Sequence, residues 1–200
     1  RHLVEACLRA VPGPGRFVIV SSVAAAGPSG PDRPRVETDP PRPVSAYGRS
    51  KLAAEEAVRA AAGRLPSTIV RPPNVLGPGS KEIEAAIALL RRRLAPSVAD
   101  GRPRTSLVDV DDLVEALILA SEHPRAAGET YFVTDGGSYA WPDILEALAA
   151  ELGTGPVRVR VPFGVQLAAA RLAEAVSRAT GRPPLLTRDI VRSGRDHFWL

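Results

Sequence analysis

Short apolar runs alternate with stretches of helical periodicity along this chain. Phe17-Val18-Ile19-Val20 and Thr68-Ile69-Val70 are continuous runs, the pattern of strands buried on both faces of a parallel sheet. The first ends in Ser21-Ser22 and the second is cut off by Pro72-Pro73. Upstream, residues 2–10 read as the end of an amphipathic helix, broken by Pro12-Gly13-Pro14-Gly15. Residues 27–46 are rich in Gly, Pro and Arg without periodicity, which predicts a long surface loop. Ser45 then caps a helix running to about Ala62, with Gly63 as its stop and Glu55/Arg59 paired at i,i+4.

Strand, helix and strand in that order predict a right-handed crossover unit. The pattern continues with a helix over 81–94, a loop, and a short strand over 106–110. Asp111 is the expected cap of a helix from Asp112 to Glu122. A strand from Thr130 to Thr134 ends at the Asp135-Gly136-Gly137 turn, and a helix starts near Pro142 and stops at Gly153. Val157-Arg158-Val159-Arg160-Val161 alternates with period two, as a half-exposed strand does. A long helix over 163–180 and a shorter one after Pro183-Pro184 complete the chain. This is alternating α/β organisation, one layered sheet with helices on its faces.

Composition and charge narrow the function classes. The 200 residues are 44% hydrophobic and 24% charged, an ordinary globular balance with enough chain for a sizeable core. The single cysteine, Cys7, cannot form an intramolecular disulfide, and no Cys/His cluster is present to bind a metal. His2, His123 and His197 lie far apart and read as surface or packing residues. No run of about 18 apolar residues exists, so stable membrane insertion is not expected, and a cytoplasmic location is. The net charge of +4 suggests nucleic acid only until its make-up is inspected. All but two of the 26 cations are arginine, aromatics are 4%, and the one basic run, Arg91-Arg92-Arg93, falls at a helix end where cations suit the helix dipole. No nucleic-acid partner is expected.

The chemistry-bearing pattern is Tyr47-Gly48-Arg49-Ser50-Lys51 at the head of a helix, with Ser22 at the carboxyl end of the preceding strand. Residues four apart share one helix face, so Tyr47 and Lys51 can point into one pocket. An ammonium near a phenol stabilises phenolate, which makes a tyrosine usable as general acid and base on an alcohol or carbonyl. A serine hydroxyl at the strand end can donate to the same oxygen, and strand carboxyl ends are where open α/β sheets place ligands. With three Tyr and two Lys, chance supplies only about 0.03 such pairs in a chain of this length. The alternative is a partly exposed tyrosine and a solvated lysine on a helix surface. Gly137-Ser138-Tyr139-Ala140 lacks the second glycine of a nucleophile elbow, which removes an α/β-hydrolase.

Phe17 to Ser22, Tyr47-x-x-x-Lys51, and Val70-Arg71-Pro72-Pro73-Asn74-Val75-Leu76-Gly77-Pro78-Gly79 together resemble the extended short-chain dehydrogenase/reductase family, the NAD-dependent epimerase/dehydratase group. Leu107 to Leu113 and Tyr131 to Gly137 are similar to later segments of that family. The resemblance implies the carboxyl-terminal part of a Rossmann-type doubly wound parallel sheet over residues 1–140, with substrate-lobe segments interspersed from about 75. It implies a small mixed α/β substrate lobe, incomplete, over 141–200. NAD or NADP is the implied cofactor. Tyr47 would be the catalytic acid/base, Lys51 would assist and hold the nicotinamide ribose, and Ser22 would orient the substrate oxygen. Pro72, Pro73 and Val75 would lie against the nicotinamide, and Asn74 would reach the substrate. The family's glycine-rich diphosphate turn has no counterpart here, because Gly13/Gly15 and Gly77/Gly79 sit in Pro-Gly breaks. Residue 1 is therefore expected to fall about halfway into the nucleotide-binding domain, and the 200 residues alone are expected to be inactive.

Dehydratases of the family carry an acidic pair just after the serine, where this chain has Val23 and Ala24. These two would line the substrate side of the site, and an apolar floor favours a fairly apolar alcohol or ketone over a sugar. The segment from Pro162 to Arg182 is similar to the 3β-hydroxysteroid dehydrogenase-like branch. The function expected is NAD(P)-dependent interconversion of a secondary alcohol and a ketone. A nucleotide-sugar epimerase of the same family, and a non-catalytic NAD(P)-sensing or RNA-associated binding protein, stay open beside it. The partners expected are a small-molecule substrate and, at most, a second copy of the chain in a homodimer.

Overall fold

The computed structural model describes residues 2–10, 15–97, 103–181, 184 and 186–200. The Pro-Gly break expected at 12–14 and the first proline of the 183–184 pair lie outside the described residues. Along the chain run α1 (His2–Arg9), β1 (Phe17–Val20), α2 (Val23–Ala26), α3 (Ala46–Arg59), β2 (Ser67–Arg71) and β3 (Asn74–Leu76). Then come α4 (Lys81–Arg91), β4 (Leu94–Ser97), β5 (Arg104–Thr105), β6 (Leu107–Asp109), α5 (Val110–Glu122), β7 (Thr130–Phe132) and β8 (Tyr139–Ala140). The last elements are α6 (Trp141–Glu151), β9 (Val157–Arg160), α7 (Phe163–Thr180) and α8 (Arg188–Ser193). Among the described residues no helix is long and apolar enough to cross a membrane.

The chain divides into two compact units. The first takes residues 1–77, 105–138 and 198–200, and the second takes 78–104 and 139–197. In the first unit β2 lies between β1 and β7, parallel to both. Every residue of β2 is buried, Ser67, Thr68 and Arg71 included, as in a strand covered on both faces. In β1 the side chains sort by period two. Phe17 and Ile19 pack with Val4, Val58, Ala61 and Leu65 from the α1 and α3 side. Val18 packs on the opposite face with Val70, Val108, Leu113 and Ala120, under α5. Helices therefore cover both faces of one parallel sheet, the Rossmann-type arrangement.

In this unit one strand and one helix depart from the expected pattern. Pro72 and Pro73 have no N–H and end the β2 ladder at Arg71, but the chain does not leave the layer. Asn74–Leu76 resumes as β3 with a different partner, β6, pairing Asn74 with Leu107 and Leu76 with Asp109 in parallel. The α5 helix begins earlier than expected. Its cap is Asp109, whose carboxylate accepts from the Asp111 amide at 2.8 Å, and Asp111 and Asp112 sit in the first turn, where negative charge suits the helix dipole.

In the second unit α4 stops at Arg91, and β4 follows where the sequence suggests only loop. It pairs in parallel with β9, Leu94 opposite Val157. Ala86, Leu90, Ala95, Leu145 and Ala149 form its core, and Trp141 packs against them.

Candidate active site

Three short segments meet where β1 ends. The β1–β2 ladder continues one residue past the strand, since the Ser21 amide donates to Val70 O at 2.7 Å. Ser22 is extended and becomes the N-cap of α2, its Oγ accepting from the Ala24 amide at 3.2 Å. The Val23 amide donates to Pro72 O at 3.1 Å, so the serine turn and the Pro72-Pro73 segment are tied backbone to backbone. Val23, Ala25 and Ala26 are buried, and Ala24 is half-buried.

Beyond α2 the loop turns back on itself. Gly27 has φ +88, and a Cβ there would stand 2.0 Å from Arg42 O, so only glycine serves. Arg42 N in turn donates to Ala26 O at 2.8 Å. The loop is also pinned further out, with the Trp199 indole donating to Gly30 O at 3.0 Å and the Phe132 amide donating to Glu37 at 2.9 Å.

The return brings in α3. Ser45 caps it by accepting from Gly48 N at 3.0 Å. Gly48 lies flat on α2, where a Cβ would come 2.3 Å from Ala24 O. This close approach sets the residues on either side of it beside the Ser22 turn. Tyr47 is 54% exposed. Lys51, one turn on, has its Nζ 5.7 Å from the Tyr47 ring centroid, and that Nζ donates to Val20 O, the last carbonyl of β1, at 3.1 Å. Tyr47 and Lys51 thus share one helix face at the carboxyl end of the strand that leads into Ser22.

The other expected residues lie along the strand after the prolines. Pro72 and Pro73 are buried, and Asn74 is exposed with its Nδ2 donating to Thr105 Oγ1 at 2.9 Å. Val75 packs against the Val70–Val108 cluster.

Beneath this surface is a group of polar residues with no place in the expected site. Glu55 is fully buried and accepts from Arg71 twice, Nε at 2.8 Å to Oε1 and Nη2 at 2.6 Å to Oε2. Ser21 Oγ donates to Oε1 at 2.5 Å, and the Arg59 guanidinium stands 3.2 Å from Oε2. Burial pushes the Glu55 carboxyl up. The Arg71 and Ser21 hydrogen bonds, with the charges of Arg71 and Arg59, outweigh that and hold it below the usual carboxylate range. The sequence carries two signals for this group. One is an arginine placed directly after the Ile69-Val70 pair at the end of a buried strand. The other is a glutamate one turn after Lys51 and one turn before Arg59, for which the i,i+4 rule offers only these two helical neighbours and not Arg71.

Residues 1–134 match the NAD dependent epimerase/dehydratase family. A ceramide reductase of Caulobacter vibrioides is 32% identical over 169 residues, covering 84% of this chain and 48% of that protein. A dTDP-L-rhamnose 4-epimerase of Burkholderia thailandensis is 28% identical over 162 residues, covering 74% of this chain and 45% of that protein. The structure of MoeE5 in complex with UDP-glucose and NAD superposes with a TM-score of 0.71 at 30% identity, over 80% of this chain and 55% of that one. The chain spans about half the length of the curated relatives it matches. Matched over two thirds of its length and built on the same parallel sheet, the chain belongs to the NAD-dependent epimerase/dehydratase family of short-chain dehydrogenases/reductases.

Proposed function

We propose that this protein interconverts a secondary alcohol and a ketone on a fairly apolar small molecule, with NAD or NADP as partner and Ser22, Tyr47 and Lys51 as the working side chains. The observation that carries the reading is the shared face of Tyr47 and Lys51, with the lysine held on Val20 O beside the Ser22 turn. The residues expected at the nicotinamide end fit that group. One Lys51 N–H is engaged by Val20 O, which leaves two for ribose hydroxyls. Pro72 and Pro73 carry no N–H, so a ring seated against this segment would meet no orphan backbone donor from them, with Val75 following. When bound, the dinucleotide supplies or accepts the hydride.

The chain's own share is proton handling and orientation. In the oxidation direction the Tyr47 oxygen takes the proton of the substrate hydroxyl, and in the reduction direction it returns it. Lys51 favours the anionic phenol oxygen through its charge. Ser22 Oγ uses a lone pair on the Ala24 amide, so its O–H remains available to donate to the substrate oxygen. Val23, Ala24 and Asn74 are assigned to the substrate side. Val23 and Ala24 offer no side-chain partner for sugar hydroxyls, which favours an apolar substrate.

A ceramide reductase among the relatives supports this reading, and a nucleotide-sugar 4-epimerase supports a second, in which the same redox step runs twice on one carbon. A direct assay separates them. The whole gene product is incubated with NAD(H) or NADP(H) and with long-chain ketones and alcohols, UDP-glucose, or a dTDP-sugar. Net change in nicotinamide absorbance with the lipid-like compounds is the expected result. Inversion of a sugar without net cofactor change supports the epimerase, and turnover of neither class overturns both readings.

A further inference from the structure

Glu55, Arg71 and Ser21 take no part in the proton transfer described above, yet each is linked to a residue that does. Glu55 lies one helical turn after Lys51 on α3. Ser21 stands between Val20, whose carbonyl holds Lys51, and Ser22. Arg71 is the last residue of β2, directly before Pro72, whose carbonyl receives the Val23 amide. A carboxylate and a guanidinium give up much hydration when buried, and apolar side chains of similar volume would pack as stably. Stability alone therefore does not account for a pair that is 0% and 2% exposed at this spot. What the pair supplies is direction. Two parallel N–H···O bonds fix the carboxylate in one plane, and the Ser21 hydroxyl at 2.5 Å reads that plane from β1.

We propose that Glu55, Arg71 and Ser21 form a buried clamp of positioning residues. It locks the carboxyl ends of β1 and β2 onto α3, so that Lys51 stays on Val20 O and Ser22 faces the substrate oxygen. The proposal rests on the reading of Ser22, Tyr47 and Lys51 given above and adds three residues that touch no reactant. Misplacement of a working group by about 1 Å costs on the order of a hundredfold in rate, which is the effect such a clamp prevents.

The test uses the whole gene product with two variants. Ser21→Ala removes only the link to β1, and Glu55→Leu with Arg71→Met replaces the pair by apolar volume so that the fold survives. Two readouts are taken beside the melting temperature. One is kcat and KM on the substrate found in the direct assay. The other needs no substrate: the rate at which acetic anhydride acetylates Lys51, measured against Lys81 by mass spectrometry. Both variants should melt within a few degrees of the parent. Their kcat should fall about tenfold or more with KM little changed. Their Lys51 acetylation should rise roughly fivefold, the worth of about one hydrogen bond. Parental kcat and parental Lys51 protection in the folded double variant overturn the clamp and leave the oxidoreductase reading standing. If the parent turns over nothing, that reading fails instead, and the Lys51 acetylation rate still decides whether the clamp holds the lysine.

Discussion

At the scale of single residues, charge and hydrogen-bond capacity decide what each group near the site can do. Lys51 spends one N–H on Val20 O, and Glu55 is saturated by two arginines and a serine hydroxyl. An unfolded glutamate titrates near about 4.3, and Glu55 is held below its ordinary value in the fold. Its contribution to stability is therefore complete above about pH 5 and is lost as pH falls through the lower folded-state value. Glu55→Gln should cost about 3 kcal/mol at neutral pH, since it leaves Arg71 buried without a counter-charge. Denaturation series from neutral pH down to about pH 3 should show the gap between variant and parent closing on acidification. A gap that stays constant over that range contradicts the assignment. Tyr47 and Lys51 are legible from sequence because helical spacing alone puts them on one face. The Glu55–Arg71 bond is not, because nothing local tells Glu55 to prefer a strand residue sixteen positions away over Arg59, its helical neighbour.

At the scale of elements, the site is set by how closely α3 rests on α2. Alanine is worth about 1 kcal/mol more than glycine in a helix interior, so Gly48→Ala would be stabilising if there were space. There is none, since the new Cβ meets Ala24 O at 2.3 Å and Ala24 C at 3.0 Å, both backbone atoms that cannot swing aside. The overpacking cost, about 1–3 kcal/mol, exceeds the propensity gain, and α3 must back away carrying Tyr47 and Lys51. Gly48→Ala should therefore lower both melting temperature and turnover, and a variant more stable than the parent with full turnover contradicts this packing. The elements legible in advance are those with strong local patterns: β1 and β2 as apolar runs, α3 from its serine cap, α7 from its length. The elements missed have their cause elsewhere in the chain. Leu94–Ser97 contains a proline and becomes a strand because Val157–Arg160 pairs with it, and Asn74–Leu76 becomes one because Leu107–Asp109 does.

At the scale of the whole molecule, the first unit is a parallel sheet covered on both faces, and the candidate residues gather at the carboxyl ends of β1 and β2, where such sheets take ligands. The family is NAD-dependent, so ligand linkage gives a second handle on the site. With dinucleotide at a hundred times its Kd, the whole gene product should gain about 2.7 kcal/mol in stability. Thermal melts with and without NAD(H) and NADP(H) measure this gain, and its absence with all four contradicts the nicotinamide assignment. The proposed chemistry turns on one group, the Tyr47 hydroxyl moving the proton at this site. Tyr47→Phe keeps the ring and removes only the hydroxyl, so kcat and dinucleotide stabilisation can be measured on the same preparation. Turnover should fall by about a hundredfold or more with the stabilisation retained. Turnover equal to the parent's, with the cofactor bound as before, would contradict it.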